Sequence, residues 1–181
     1  MTYADDWHTH TLEAASDPLA LLEREWLLTN GTGAYAMGTA VGCPTRRYHG
    51  LLVAATRPPV ARVVTLNQMW EQLILRHSQS AAAPQTLDFT SLMFRAGERR
   101  VFSPMGHQGL QRFQRGLSVR WVYAWGKIEF ERELLLHWKH QAATLRYRIR
   151  GLEEIAAAAT LRLSPMLTMR DFHSVLLRAS S

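Results

Sequence analysis

Arg46, Arg47, Tyr48 and His49 stand in one run, directly behind a stretch punctuated by Gly31, Gly33, Gly38 and Gly42. Guanidinium, phenol and imidazole groups beside so free a backbone are the ingredients of a phosphate cradle. Residues 31–36, Gly-Thr-Gly-Ala-Tyr-Ala, even satisfy the G-x-G-x-x-G/A spacing. That chemistry also requires a helix opening at the glycines, so that its first amides face the pyrophosphate. Gly38, Gly42 and Pro44 deny a helix there. An acidic residue for the ribose is due about 20 positions later, yet none occurs between Glu25 and Glu71. No Gly-Lys-Ser/Thr is present, and nucleotide binding is set aside.

Other chemistries have less to stand on. Cys43 and His49 flank a turn and are the bare minimum of a thiol site. His137 and His140 bracket a second expected turn without further ligands at metal-site spacing. Neither a metal nor a cofactor is expected. Glycoside hydrolysis needs two carboxylates facing a sugar across about 5 to 9.5 Å. Glu129, Glu131 and Glu133 offer acids at alternate positions. Late in the chain, Asp171 and His173 have the form of an orienter and a base beside Arg170, but no nucleophile stands at a matched position. No catalytic residue is assigned.

The elements that position these groups read as strands. Asn30-Gly31 is a hairpin turn signal, residues 42–45 are a second turn, and 34–41 between them form a strand of small residues. Small residues let another backbone or a ligand approach closely. If 48–56 is the next strand, Arg46 and Tyr48 share one face and Arg47 and His49 the other. Two arginines entering an apolar strand are costly unless paired or placed at its mouth. Asn30 and the 46–49 run are therefore expected together at one sheet end. Contact with a ligand or partner, and the plain tying of turns to the sheet, both remain open readings of these residues.

Elsewhere, Asp17-Pro18 reads as an N-cap and first helical position for about two turns over 19–24. Residues 1–16 are patternless and expected to be disordered. Further strands are expected at 25–29, 62–75, 86–96, 99–104, 110–114, 117–125, 127–137, 142–150 and 158–164, with a loop at 78–84. Many strands with glycine at the joints make an all-β fold, an antiparallel β-sandwich with at most one short N-terminal helix, as a single domain over 17–181. Apolar residues 175–177 form a strand without a successor, so the domain is expected to be truncated at its C-terminal end.

One hairpin can be read to the register. Residues 127–137 and 142–150 both alternate around a turn at 138–141. Centring that turn pairs Glu133 with Arg146, Glu131 with Arg148 and Glu129 with Arg150 on a solvated face. The other face pairs Leu134 with Leu145 and Phe130 with Ile149. Arg132 enters that core face opposite Tyr147, expected to stack on its ring. A slip of one residue would set the acids against Leu145, Tyr147 and Ile149, so the register is well specified. The ladder also accounts for three close glutamates without catalysis.

Composition narrows the class. The 181 residues are 47% apolar and 20% charged, as in a soluble globular protein. There is no secretory leader and no apolar run near the ~20 residues that span a bilayer, so a cytoplasmic protein without membrane contact is expected. Cys43 is the single cysteine and has no internal disulfide partner. The charge is +6 and the pI about 10.1, but the arginines are spread along the chain and no basic cluster forms a nucleic-acid motif. Nucleic acid is not expected as a partner.

The run 23–55, "EREWLLTNGTGAYAMGTAVGCPTRRYHGLLVAA", resembles the opening of the N-terminal domain of the bacterial and archaeal type of glycogen debranching enzyme. "PPVARVVTLNQMWEQL" and the late "RDFH" are similar to the same family, so the resemblance spans about residues 22–175. Ala34 departs from it, standing where the family usually has glycine. The resemblance implies a supersandwich-like β-domain joined to a C-terminal (α/α)6 barrel that carries the acid and base of an amylo-α-1,6-glucosidase. It implies a non-catalytic chain that packs on that barrel, with weak affinity for glycogen or another α-glucan. Asn30, Arg46, Arg47, Tyr48, His49, Arg170, Asp171 and His173 become the candidate substrate or domain contacts. A purely structural or interaction domain without sugar affinity is the alternative. Lacking its barrel, the domain is expected to self-associate.

Overall fold

The computed structural model describes residues 10–13, 17–58, 60–76, 83–153 and 158–175. Among the described residues, thirteen strands run in chain order as β1 (His10–Glu13), β2 (Glu25–Thr29), β3 (Tyr35–Thr39), β4 (Gly50–Arg57), β5 (Ala61–Arg76), β6 (Gln85–Asp88), β7 (Ser91–Ala96), β8 (Arg99–Met105), β9 (Leu110–Arg115), β10 (Val119–Trp125), β11 (Ile128–Leu136), β12 (Ala143–Arg150) and β13 (Ala158–Asp171). The strands form an antiparallel β-sandwich. One sheet has the order β1-β9-β10-β11-β12, the other β13-β5-β4-β3-β2, and β7 and β8 make a separate hairpin. The length of β5 lets it seat β4 along its first half and β6 along its second, with β13 on the other side.

Period-two alternation sets the faces. In β2, Trp26 and Leu28 are buried while Glu25, Leu27 and Thr29 are exposed. The inward residues of both sheets meet in one core. Trp26 meets Trp121 edge-on at 5.5 Å, and Phe89 stacks on Phe130 at 3.8 Å.

The hairpin of β11 and β12 has the expected register: Glu133 opposite Arg146, Glu131 opposite Arg148, Glu129 opposite Arg150. Its acid face is not solvated as expected. Glu131 and Glu133 are each only 9% exposed, because Arg120 from β10 joins Arg146 and Arg148 over them. Arg132 does not stack on Tyr147 either. Its guanidinium lies 4.0 Å over the Trp121 ring, and its Nη1 donates to both Glu71 carboxylate oxygens at 3.0 and 3.2 Å. Tyr147 reaches the same carboxylate through its hydroxyl. The charge-assisted pair with a fully buried acid, together with the Trp121 ring, draws the guanidinium away from Tyr147.

Several expected elements differ. Residues 18–22 form one short 3-10 helix in place of two turns, with Asp17 Oδ1 accepting from Leu19 N. His10–Glu13 pairs with β9, although 10–13 carries no apolar alternation beyond Leu12. The expected strand 86–96 is two strands, because Phe89 and Thr90 turn inward and Thr90 Oγ1 bonds to Met69 O and Glu71. β13 runs seven residues past 164, the expected end. The expected strand 175–177 and the loop at 78–84 lie mainly outside the described residues.

Candidate functional site

Residues 46–49 are not part of β4. They form a turn closed by His49 N donating to Arg46 O at 3.0 Å, and the strand begins at Gly50. The alternation expected across this run therefore does not hold. His49 is buried, and its Nδ1 accepts from Thr45 N at 3.0 Å. Its Nε2 lies 3.2 Å from Glu25 Oε1, which also holds Arg46 Nε at 2.6 Å. Burial lowers the His49 pKa below its ordinary value, against the pull of Glu25, so the imidazole favours its neutral form.

Asn30 does not join this group. Glu25 opens β2 and Asn30 follows its end, so the two lie at opposite ends of that strand. Asn30 is fully buried. Its Oδ1 accepts from Thr32 N and Ala34 N, its Nδ2 donates to His140 O at 2.9 Å, and its carbonyl accepts from Lys139 N. It clasps the tip of the β2–β3 hairpin to the tip of β11–β12. Gly31 sits beneath Trp138 with φ 77°, where a Cβ would lie 2.5 Å from the indole. Close approach and a left-handed backbone explain this glycine, and no phosphate cradle is formed.

The structure instead brings the early run to the end of β13. Arg47 Nη1 donates to His173 O at 2.9 Å, and the Tyr48 hydroxyl lies 3.3 Å from His173 Nδ1. Arg170 donates from Nη2 to Arg47 O and from Nη1 to Ser174 O at 2.7 Å. Asp171 Oδ1 accepts from His173 N, fixing the turn. The three contacts that join the 46–49 turn to the end of β13 each span more than 120 residues in sequence. Phe172, which the sequence did not single out, packs on Tyr48 and lies beneath Arg62. The result is a surface of half-buried rings and planar guanidinium forks.

A bulge sets this arrangement. Between Leu167 and Arg170 the register of β13 against β5 shifts, and Met169 takes φ 47°, costly for a side-chain-bearing residue. An open cleft of about 360 Å³ lies beside the cluster, with Thr45, Arg46, Arg47, Asn67, Thr168 and Arg170 among its lining.

The other candidates are spent on structure. Cys43 is buried, and burial pushes its thiol up to about 11, far from a thiolate at neutral pH. His137 bonds to Thr144 Oγ1. Glu129, Glu131 and Glu133 each hold a cross-strand arginine. Burial alone would raise Glu133, but the Ser118 hydroxyl with Arg120 and Arg146 brings it below its ordinary value, the wrong direction for a general acid. No group of three metal-ligating side chains occurs among the described residues.

A family model described as glycogen debranching enzyme N terminal matches residues 24–180. No curated protein and no solved structure is matched. With that match spanning both the opening run and the β13 turn it meets, the chain belongs to the glycogen debranching enzyme N-terminal family.

Proposed function

We propose that this chain is a non-catalytic domain that supports recognition of α-1,6-branched glucan and packs against a glucosidase barrel in the cytoplasm. The family match over residues 24–180 carries this reading. The surface of Tyr48, Phe172 and His173 with Arg47 and Arg62 supports it, since ring faces and guanidinium forks suit both a sugar and a partner's surface. The acid and base belong, on this reading, to the barrel. The three clustered glutamates are already paired with arginines, which fits an accessory role.

Affinity electrophoresis in gels with and without glycogen tests the sugar claim. Retardation by glycogen supports it, and unchanged mobility removes it. A second reading, a purely structural domain, is favoured by one observation: Arg47, Arg170 and Asp171 direct hydrogen bonds at backbone within their own cluster. Unretarded protein that still binds the barrel would select that reading.

A further inference from the structure

The cleft beside this cluster gathers positive charge that the cluster's hydrogen bonds to backbone carbonyls do not neutralise. Arg46, Arg47 and Arg170 all line it, from a turn and a strand far apart in sequence, and no acidic residue is among the described residues lining it. Guanidiniums gathered at one open concavity give it a positive potential, which favours an anion there. Glu25 offsets only Arg46, through Nε, and the two Nη groups of Arg46 make no hydrogen bond with the described residues. Arg47 spends Nη1 on His173 O, and its Nε and Nη2 likewise make none. Asp171 turns its Oδ1 to the His173 amide.

The positions are held, too. Arg170 is anchored by carbonyls of Arg47, Asp171 and Ser174, and the bulge with Met169 at φ 47° brings it to the cleft. Strain kept in order to place a cation is a mark of a binding feature more than of packing. Thr45 and the Asn67 amide add neutral polar groups on the same lining.

We propose that this cleft binds a small phosphate oxyanion, either free phosphate or a phosphomonoester. Planar N–H forks match the oxygens of a tetrahedral phosphate, which is why arginine clusters recognise it. Arg46 offers its two Nη groups, Arg47 its Nε and Nη2, and Arg170 supplies fixed positive charge. The site does not rest on the docking reading above, because it is complete within this chain.

The test is thermal unfolding of the whole chain in inorganic phosphate, glucose 6-phosphate or glucose, with sodium chloride holding ionic strength constant. Phosphate and the sugar phosphate should raise Tm by about 3–6 °C at ten times the dissociation constant, and glucose should not. Equal binding of both anions assigns the cleft to free phosphate, and tighter binding of the ester assigns it to a phosphomonoester. Arg46→Gln should weaken the anion effect, and Arg46→Gln with Arg47→Gln should abolish it. Arg46 has a 64% exposed side chain and one ion pair, so its single variant keeps the fold. Calorimetric titration of the unaltered chain with phosphate gives a second readout without any variant. No rise with either anion, an equal rise with glucose, or a rise unchanged in Arg46→Gln would overturn the proposal.

Discussion

Among single residues, the greatest electrostatic stake lies in Arg132 and Glu71, 1% and 0% exposed as side chains, between the two sheets. Burial opposes the charge on Arg132, but Glu71 and the tyrosines Tyr123 and Tyr147 hold its pKa above the ordinary value. Taking away one partner leaves the other charge uncompensated. Arg132→Met should therefore cost about 3–5 kcal/mol, read as a lower urea midpoint, while the double change Glu71→Leu/Arg132→Met should recover most of it. A double variant no more stable than the single one would contradict this. The sequence marked Arg132 as the polar intruder on a core face but could not find Glu71, because the pairing crosses 61 residues and two sheets. His49 gives a pH signature. Its native pKa is lowered from 6.5, so its contribution is complete above pH 6.5. It is lost as the pH falls below that, because the unfolded chain gains a proton that the buried ring refuses. His49→Gln should flatten the acid limb of a Tm profile below pH 6.5. An unchanged slope would assign the limb to His107, whose pKa burial also lowers.

Among elements, alternation was legible wherever a strand had one polar and one apolar face. β11 and β12 are the clearest instance, since any slip would bury acids against aliphatic groups. The same logic was silent for β1, which is polar, and for the bulged end of β13, where the backbone leaves period two. It misread 46–49, because a turn of polar residues just before an apolar strand has the composition of that strand's mouth. A double-mutant cycle on Glu131 and Arg148 should give a coupling of about 0.2–1 kcal/mol, towards the upper end because Glu131 is largely covered. Zero coupling would mean that Arg120 alone satisfies the carboxylate.

At the scale of the molecule, the family was readable from one opening block, whereas the meeting of that block with the β13 turn was not. Contacts across more than 120 residues leave no local spacing to read. That junction is where docking should be tested. Arg47→Ala should weaken association with a separately expressed barrel more than it lowers Tm, since Arg47 is exposed and makes one side-chain hydrogen bond. A large Tm loss with undiminished association would give the junction a structural role alone. Purified chain should release no glucose from a branched limit dextrin, and measurable turnover would place an acid pair within it.

The long β5 has a consequence in time. Its residues end at Arg76, while the strand that covers its far side begins only at Ala158. On a ribosome adding about 5–20 residues each second, that side stays uncovered for roughly 4–16 s. Polar and charged residues within β5, Asn67, Gln68, Glu71 and Gln72, interrupt what would otherwise be a long apolar segment with an open edge. The nascent chain thus carries its own guard against pairing with a neighbour while it waits for β13.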